Sequence, residues 1–210
     1  MKDFQKKHRI ILIAILFLTA FISGTYAVEQ DDYTQVITKR AQKIVDKLQL
    51  DPKKSIVIRD IIVQQYRDLN AIHTDREQNE KAHQLTGDKS EEKLAKLHGK
   101  YLKRLGKELN EEQIEQVKNE MTYNVLPITY KGYLEMLPSL TEQQKAQILA
   151  YLTEAREKAM DAGSSEAKHA WFGKYKGKIN NYLSKEGVET KIARQVWEEK
   201  LKEQQRGQPN

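Results

Sequence analysis

The chain has 210 residues, no cysteine, and 36 basic against 30 acidic side chains, for a formal net charge of +6. The absence of cysteine excludes a disulfide framework, thiol catalysis, thiolate metal ligation and a lipid-bearing cysteine behind an export leader. The charge excess is small and partly confined to the N-terminus, so it gives no case for nucleic acid as a partner.

Lys2, Lys6, Lys7 and Arg9 precede an almost wholly apolar run from Ile10 to Ile22, and small residues follow at Thr25 and Ala27. This is the pattern of a signal peptide, residues 1–27, cut after Ala27. The run of about 13 residues falls short of the roughly 20 needed to cross a bilayer. The protein is therefore expected to be exported, to the periplasm or the medium, with no stable membrane span once the leader is removed. Four of the basic residues and one of the acidic residues lie in the leader, which leaves 32 against 29 in residues 28–210 and a net charge of +3. Residues 28–210 are long enough for one helical domain with a sizeable core.

Apolar residues at helical spacing run through every segment of that domain. Val36, Ile37, Ile44, Val45 and Leu48 mark a first helix, ended at Asp51-Pro52, where Asp51 caps a second and Pro52 takes its first position. Ile58, Ile61, Ile62, Leu69 and Ile72 form the stripe of the second helix, whose end from Asp75 to Gln84 is so polar that it must be solvated. Gly87-Asp88 is a break before a third helix, Ser90 to Leu109, and Asn110 caps a fourth. Asn124 to Ile128, with Pro127, reads as a loop or kink ahead of a short helix from Tyr130 to Leu137. A long regular helix follows from Thr141 to about Ala162. Gly163-Ser164-Ser165 stops it and starts a seventh helix, and Gly187 separates that from a last one beginning at Thr190. No segment alternates with period two, so the predicted fold is all-α, an irregular bundle of seven to eight amphipathic helices.

Leu109-Asn110-Glu111-Glu112-Gln113 and Leu140-Thr141-Glu142-Gln143-Gln144 share the pattern L-[NT]-x-x-Q. Its local chemistry is a capping box, in which the Asn or Thr side chain and the Gln three residues on satisfy each other's backbone amides. The pattern also resembles the paired LTxxQ signature of small periplasmic helical stress chaperones. Glu80–His83 and Glu166–His169 have the Glu-x-x-His spacing of di-iron bundles. Glu80–His83 lacks the apolar flanks that an inward-facing ligand helix requires, so no metal site and no cofactor is expected.

Two clusters are candidates for ligand binding. The first runs from the end of the sixth helix into the seventh: Asp161, Ser164, Ser165, Lys168, His169, Trp171, Lys174, Tyr175 and Asn181. Helix starts offer free backbone N–H groups, and aromatic rings among amides and charges suit the C–H faces and hydroxyl rims of sugars. Gly173 and Gly177 each cost the seventh helix about 1 kcal/mol relative to alanine. They are four residues apart and share a face, which implies a closely crossing helix or a ligand against bare backbone. The second cluster is a polar-aromatic stripe on the second helix, Tyr66, Asn70 and His73, a candidate cleft wall.

The stretch from Asn124 to Leu183, NVLPITYKGYLEMLPSLTEQQKAQILAYLTEAREKAMDAGSSEAKHAWFGKYKGKINNYL, resembles the centre of a family of exported bacterial proteins, domain of unknown function 3826, and the likeness reaches back to about Tyr33. The resemblance implies a secreted, helical, glycan-associated protein and supplies no catalytic residues. The expected function is that of a non-catalytic carbohydrate-binding module, with an oligosaccharide or polysaccharide as partner. A chaperone of the LTxxQ kind and a glycan-active enzyme are the alternatives. Among the carboxylates, Glu135, Glu157, Asp161 and Glu166 do not stand out from an ordinary helical surface, and no catalytic residue is assigned.

Overall fold

The computed structural model describes residues 32–81 and 87–206. Among the described residues there are eight helices and no strand. The first helix, α1, covers residues 32–45 and tightens into a 3-10 turn at Asp46–Leu48. The others are α2 (Pro52–Lys81), α3 (Gly87–Leu105), α4 (Glu111–Met121), α5 (Val125–Met136), α6 (Glu142–Met160), α7 (Ser165–Lys185) and α8 (Thr190–Arg206). His83 and residues 1–27, where a signal peptide is expected, lie outside the described residues.

Local chemistry sets most boundaries. Asp51 accepts from the backbone amides of Lys53 and Lys54 and so caps α2. Both capping boxes are complete, Asn110 with Gln113 at the start of α4 and Thr141 with Gln144 at the start of α6. Leu109 and Leu140, just ahead of them, are buried and fix the angle at which the chain enters each helix. Two boundaries differ from expectation. α3 runs from Gly87 to Leu105 rather than from Ser90 to Leu109, with turns at residues 106–108. Residues 125–128 are helical, and Pro127 sits in the first turn of α5. First-turn amides have no intrahelical acceptor, so the missing proline N–H costs nothing there. The joint before α5 is made by Tyr123 and Asn124, both left-handed at φ 59° and 56°.

Two cores lie side by side. The first joins α1, α2, α3 and α4 around Ile58, Ile62, Tyr101, Leu105 and Val117. The second joins α5, α6 and α7 around Ile148, Leu152, Phe172, Ile179 and Leu183, with Val188 and Ala193 packed against it. α6 and α7 form an antiparallel hairpin, and α6 belongs to both cores. Its Leu152, Ala155 and Ala159 lie in the second, while Met160 enters the first. The α6–α7 turn therefore sits at the seam between the cores, beside α2 and α3.

Candidate ligand-binding site

The seam is held by side chains that converge on the last turn of α6. The carbonyls there carry the negative end of the helix dipole, and the Ala159 carbonyl also accepts from the Asp161 and Ala162 amides. Lys168, buried at 4% exposure on α7, donates from Nζ to the carbonyls of Ala159 (3.0 Å) and Met160 (3.2 Å). His73 of α2 approaches the Asp161 carbonyl with Nε2 at 2.7 Å. A carbonyl only accepts, so Nε2 carries the proton. The His73 ring lies flat against Gly163. A Cβ at that glycine would come within 2.8 Å of the ring's Cγ. Ser164 caps α7, its Oγ accepting from the Ala167 amide at 3.1 Å.

Behind the turn lies a charged cluster drawn from three helices. His98 of α3 sits between two α6 carboxylates, with Nε2 3.2 Å from Glu157 and Nδ1 2.9 Å from Asp161. Glu157 also meets Arg156 (3.1 Å) and Lys118 of α4 (3.3 Å). Arg156, at 2% exposure, further reaches Glu115 (2.7 Å) and Asn119 (2.8 Å) on α4. Contact with Asp161 and then Glu157 holds the His98 imidazole up at about 9, against burial. Burial pushes the Glu157 carboxyl up, but His98, Lys118 and Arg156 together outweigh it and bring it down to about 2. Burial lowers the Lys168 ammonium to about 8, opposed by the charge of Asp161. Asp161 Oδ1 is buried and without a hydrogen-bond partner, and His98 Nδ1, though 2.9 Å from Asp161 Oδ2, makes no well-aligned hydrogen bond.

These contacts form one wall of a cleft of about 570 Å³ between α2, α3 and the α6–α7 turn. Asn70, His73 and Glu77 line it from α2, Glu91 and Leu94 from α3, and Asp161, Ser164 and Trp171 from the other side. The two candidate clusters thus meet across a single space. Arg76 ties the mouth of the cleft, bonded to Glu80 (2.8 Å) and to Glu91 (3.4 Å).

The remaining predicted residues stand elsewhere. Tyr66 is buried in the first core, where burial raises its hydroxyl pKa and its carbonyl accepts from the Tyr33 hydroxyl at 3.0 Å. Tyr175 is buried in the second core. Lys168 is consumed in holding the end of α6. Ser165 opens α7, half-buried, and does not line the cleft. His169 is exposed and stacks on Tyr123 with ring centroids 5.4 Å apart. Lys174 lies over the Trp171 ring at 5.0 Å, and Asn181 is exposed further along α7. Glu166 is exposed, and among the described residues no group of three or more acidic or histidine side chains is placed to hold a metal ion.

The glycines of α7 require a correction. No helix crosses closely at either of them, since a Cβ at Gly173 or Gly177 would meet nothing within 4 Å. Both border an open groove on the side of α7 that faces α5 and α8.

Sequence reading passed over His98 and Arg156, although a signal for both exists. His98 falls on the stripe Leu94, Tyr101, Leu105, and Arg156 on the stripe Leu152, Ala159, all of them buried. A polar residue at a buried helical register must find partners.

The family described as protein of unknown function DUF3826 matches residues 34–203, and the chain belongs to it. No curated protein matches the chain. No helix among the described residues is long and apolar enough to cross a membrane.

Proposed function

We propose that this DUF3826 protein is an exported, non-catalytic carbohydrate-binding protein, and that its ligand occupies the cleft between α2, α3 and the α6–α7 turn. One observation carries the reading. Asn70 and His73, about ninety residues distant in sequence from Asp161, Ser164 and Trp171, share one cleft with them. An amide, a hydroxyl, carboxylates and an indole edge around one space suit a polyhydroxylated ring, which needs donors, acceptors and an apolar face together. The Asn70 amide, the Ser164 hydroxyl and the Trp171 ring supply the contacts, with Asp161 beside them on the same wall.

The cluster behind the wall supports a preformed binding site, since His98, Lys118 and Arg156 hold Glu157 in place there. The cleft's largely polar lining also supports a sugar over an unfolded chain. Both L-[NT]-x-x-Q copies are spent as capping boxes.

The two tryptophans make the test local. Trp171 borders this cleft and Trp197 does not, so a Trp197→Phe variant reports on it alone. Titration with neutral and amino-sugar oligosaccharides is expected to shift its emission for at least one class. Asn70→Ala should weaken that binding about tenfold, the loss of roughly one well-made hydrogen bond. Unchanged emission across the panel, or binding indifferent to Asn70→Ala and Trp171→Ala alike, would refute the reading. Export is tested by N-terminal sequencing of protein recovered outside the cytoplasm, where the first residue should be Val28.

A further inference from the structure

The groove beside the α7 glycines differs in character from the cleft. It encloses about 690 Å³ between α5, α7 and α8. Trp197 of α8 lies along it. Its indole edge rests 3.9 Å from where a Cβ of Gly132 would be, so α5 is bare where the ring passes. Gly173 and Gly177 leave α7 bare as well, with open space over both. The result is a slot with backbone on one side and an aromatic ring on the other.

The rim is basic. Lys176 and Lys191 are exposed and have no ion pair among the described residues, while Arg194 is held by Glu198 at 2.7 Å. Three cations face one carboxylate here. Across the molecule, the first cleft is lined by four carboxylates against Arg76 and Lys158. Polar anchors also reach into the groove. Asn180 is one, fixed by the Tyr133 hydroxyl at 2.9 Å.

We infer that this groove is a second, separate binding site and that its ligand is an acidic oligosaccharide of the hexuronate class. A pyranose ring stacks its C–H face on the indole, the glycine wall lets it approach, and its carboxylates meet Lys176 and Lys191. The pairing of ring face and charge is what the groove offers and what a uronate presents. An acidic peptide offers carboxylates to the rim but no flat C–H ring face to stack on the Trp197 indole. An acyl carboxylate would need its tail enclosed, and this groove is open to solvent with Thr129 and Thr190 on its border.

A Trp171→Phe variant leaves Trp197 as the sole reporter of this groove, so its outcome is independent of the outcome at the first cleft. The purified variant is titrated with tri-galacturonate and tri-mannuronate, then with their carboxyl-reduced counterparts, hexaglutamate and decanoate. At least one uronate should shift the emission, bind tenfold or more tightly than its reduced form, and weaken as salt rises. The Lys176→Gln/Lys191→Gln pair should weaken it at least tenfold. Gly177→Leu should abolish it by filling the slot, with no loss of melting temperature, because nothing stands within 4 Å of the new Cβ. The lysine pair is exposed and decides the matter even if the glycine variant folds poorly. The inference fails if neither uronate moves the emission or releases heat at millimolar concentration, if the reduced sugars bind equally, if the lysine pair has no effect, or if hexaglutamate or decanoate binds more tightly.

Discussion

Replacing Gly163 with alanine tests the seam of the molecule directly. The glycine is not required by backbone conformation, because its φ lies outside the left-handed region. It is required by the His73 ring, whose Cγ, Cδ2 and Nδ1 would lie 2.8, 3.0 and 3.2 Å from the new Cβ. Restoring ordinary contact moves the rigid ring by roughly half an ångström, and Nε2 is already committed to the Asp161 carbonyl at 2.7 Å. Overpacking costs about 1–3 kcal/mol and a weakened hydrogen bond about 0.5–1.5 kcal/mol. The stiffer unfolded chain returns about 0.4–1 kcal/mol. The expected net loss is about 1–3 kcal/mol, read by urea unfolding with circular dichroism, or a fall of several degrees in Tm at roughly 2–4 °C per kcal/mol for a domain of this size. In a His73→Ala background the clash is gone, and Gly163→Ala should be neutral or slightly stabilising. An equal cost in both backgrounds, or no cost in either, would show that the ring does not hold the turn.

Other substitutions should separate the tight places from the open ones. Gly173→Ala and Gly177→Ala are exposed positions inside α7 with free space above them, and each should stabilise the fold by about 0.5–1 kcal/mol in the same unfolding assay. Arg156→Ala should cost about 3 kcal/mol by breaking its contacts with Glu115, Asn119 and Glu157 at once and emptying a buried site, whereas Lys131→Ala, which loses only an exposed pair with Glu135, should cost less than about 0.5 kcal/mol. The His98 pKa is raised in the fold to about 9 from 6.5, so the folded state binds the extra proton. Its stabilisation is whole below pH 6.5 and is lost as pH rises through 9. Lys168 is lowered to about 8 from 10.5, so the unfolded state holds that proton longer and stability recovers between those values. The net expectation is a decline of about 2 kcal/mol from pH 6.5 to 8.5, discounted for partial exposure, with a flattening above. His98→Gln should abolish the decline in a pH series of denaturant melts.

How much of this was legible in the sequence depends on the range of the interaction. Capping is local, so Asp51, Asn110 and Thr141 could be read from their immediate neighbours. Pro127 was misjudged as a breaker because proline's effect depends on its position within the helix, and the start of α5 is set by the left-handed pair Tyr123 and Asn124, which carries no glycine to announce it. Lys168 reads as a ligand residue because it lies within a turn of the start of α7. Its register with Phe172, Tyr175 and Ile179 already placed it on the buried face, and the carbonyls it serves lie eight and nine residues back, across the turn. Gly173 and Gly177 suggest a close helix crossing from sequence, but nothing stands within 4 Å of a Cβ at either, because the neighbouring helices leave a groove there. The His98 cluster was the least visible, since it exists only once α3, α4 and α6 come together.

That cluster also explains why the cleft can be rigid. Four helices each send a side chain to the last turns of α6: His73 from α2, His98 from α3, Lys118 from α4 and Lys168 from α7. Each contact is to a carbonyl of the last turn or to the carboxylate of Glu157 or Asp161. The negative end of the helix dipole favours cations at this point, and all four visitors are cations or N–H donors. Asp161 Oδ1 stays enclosed behind them. A wall fixed on four sides keeps its shape without a ligand, so binding in the cleft would lose little side-chain entropy on the protein's side. The charges at the seam therefore serve the fold, and the rigidity they give the wall is what a ligand can use.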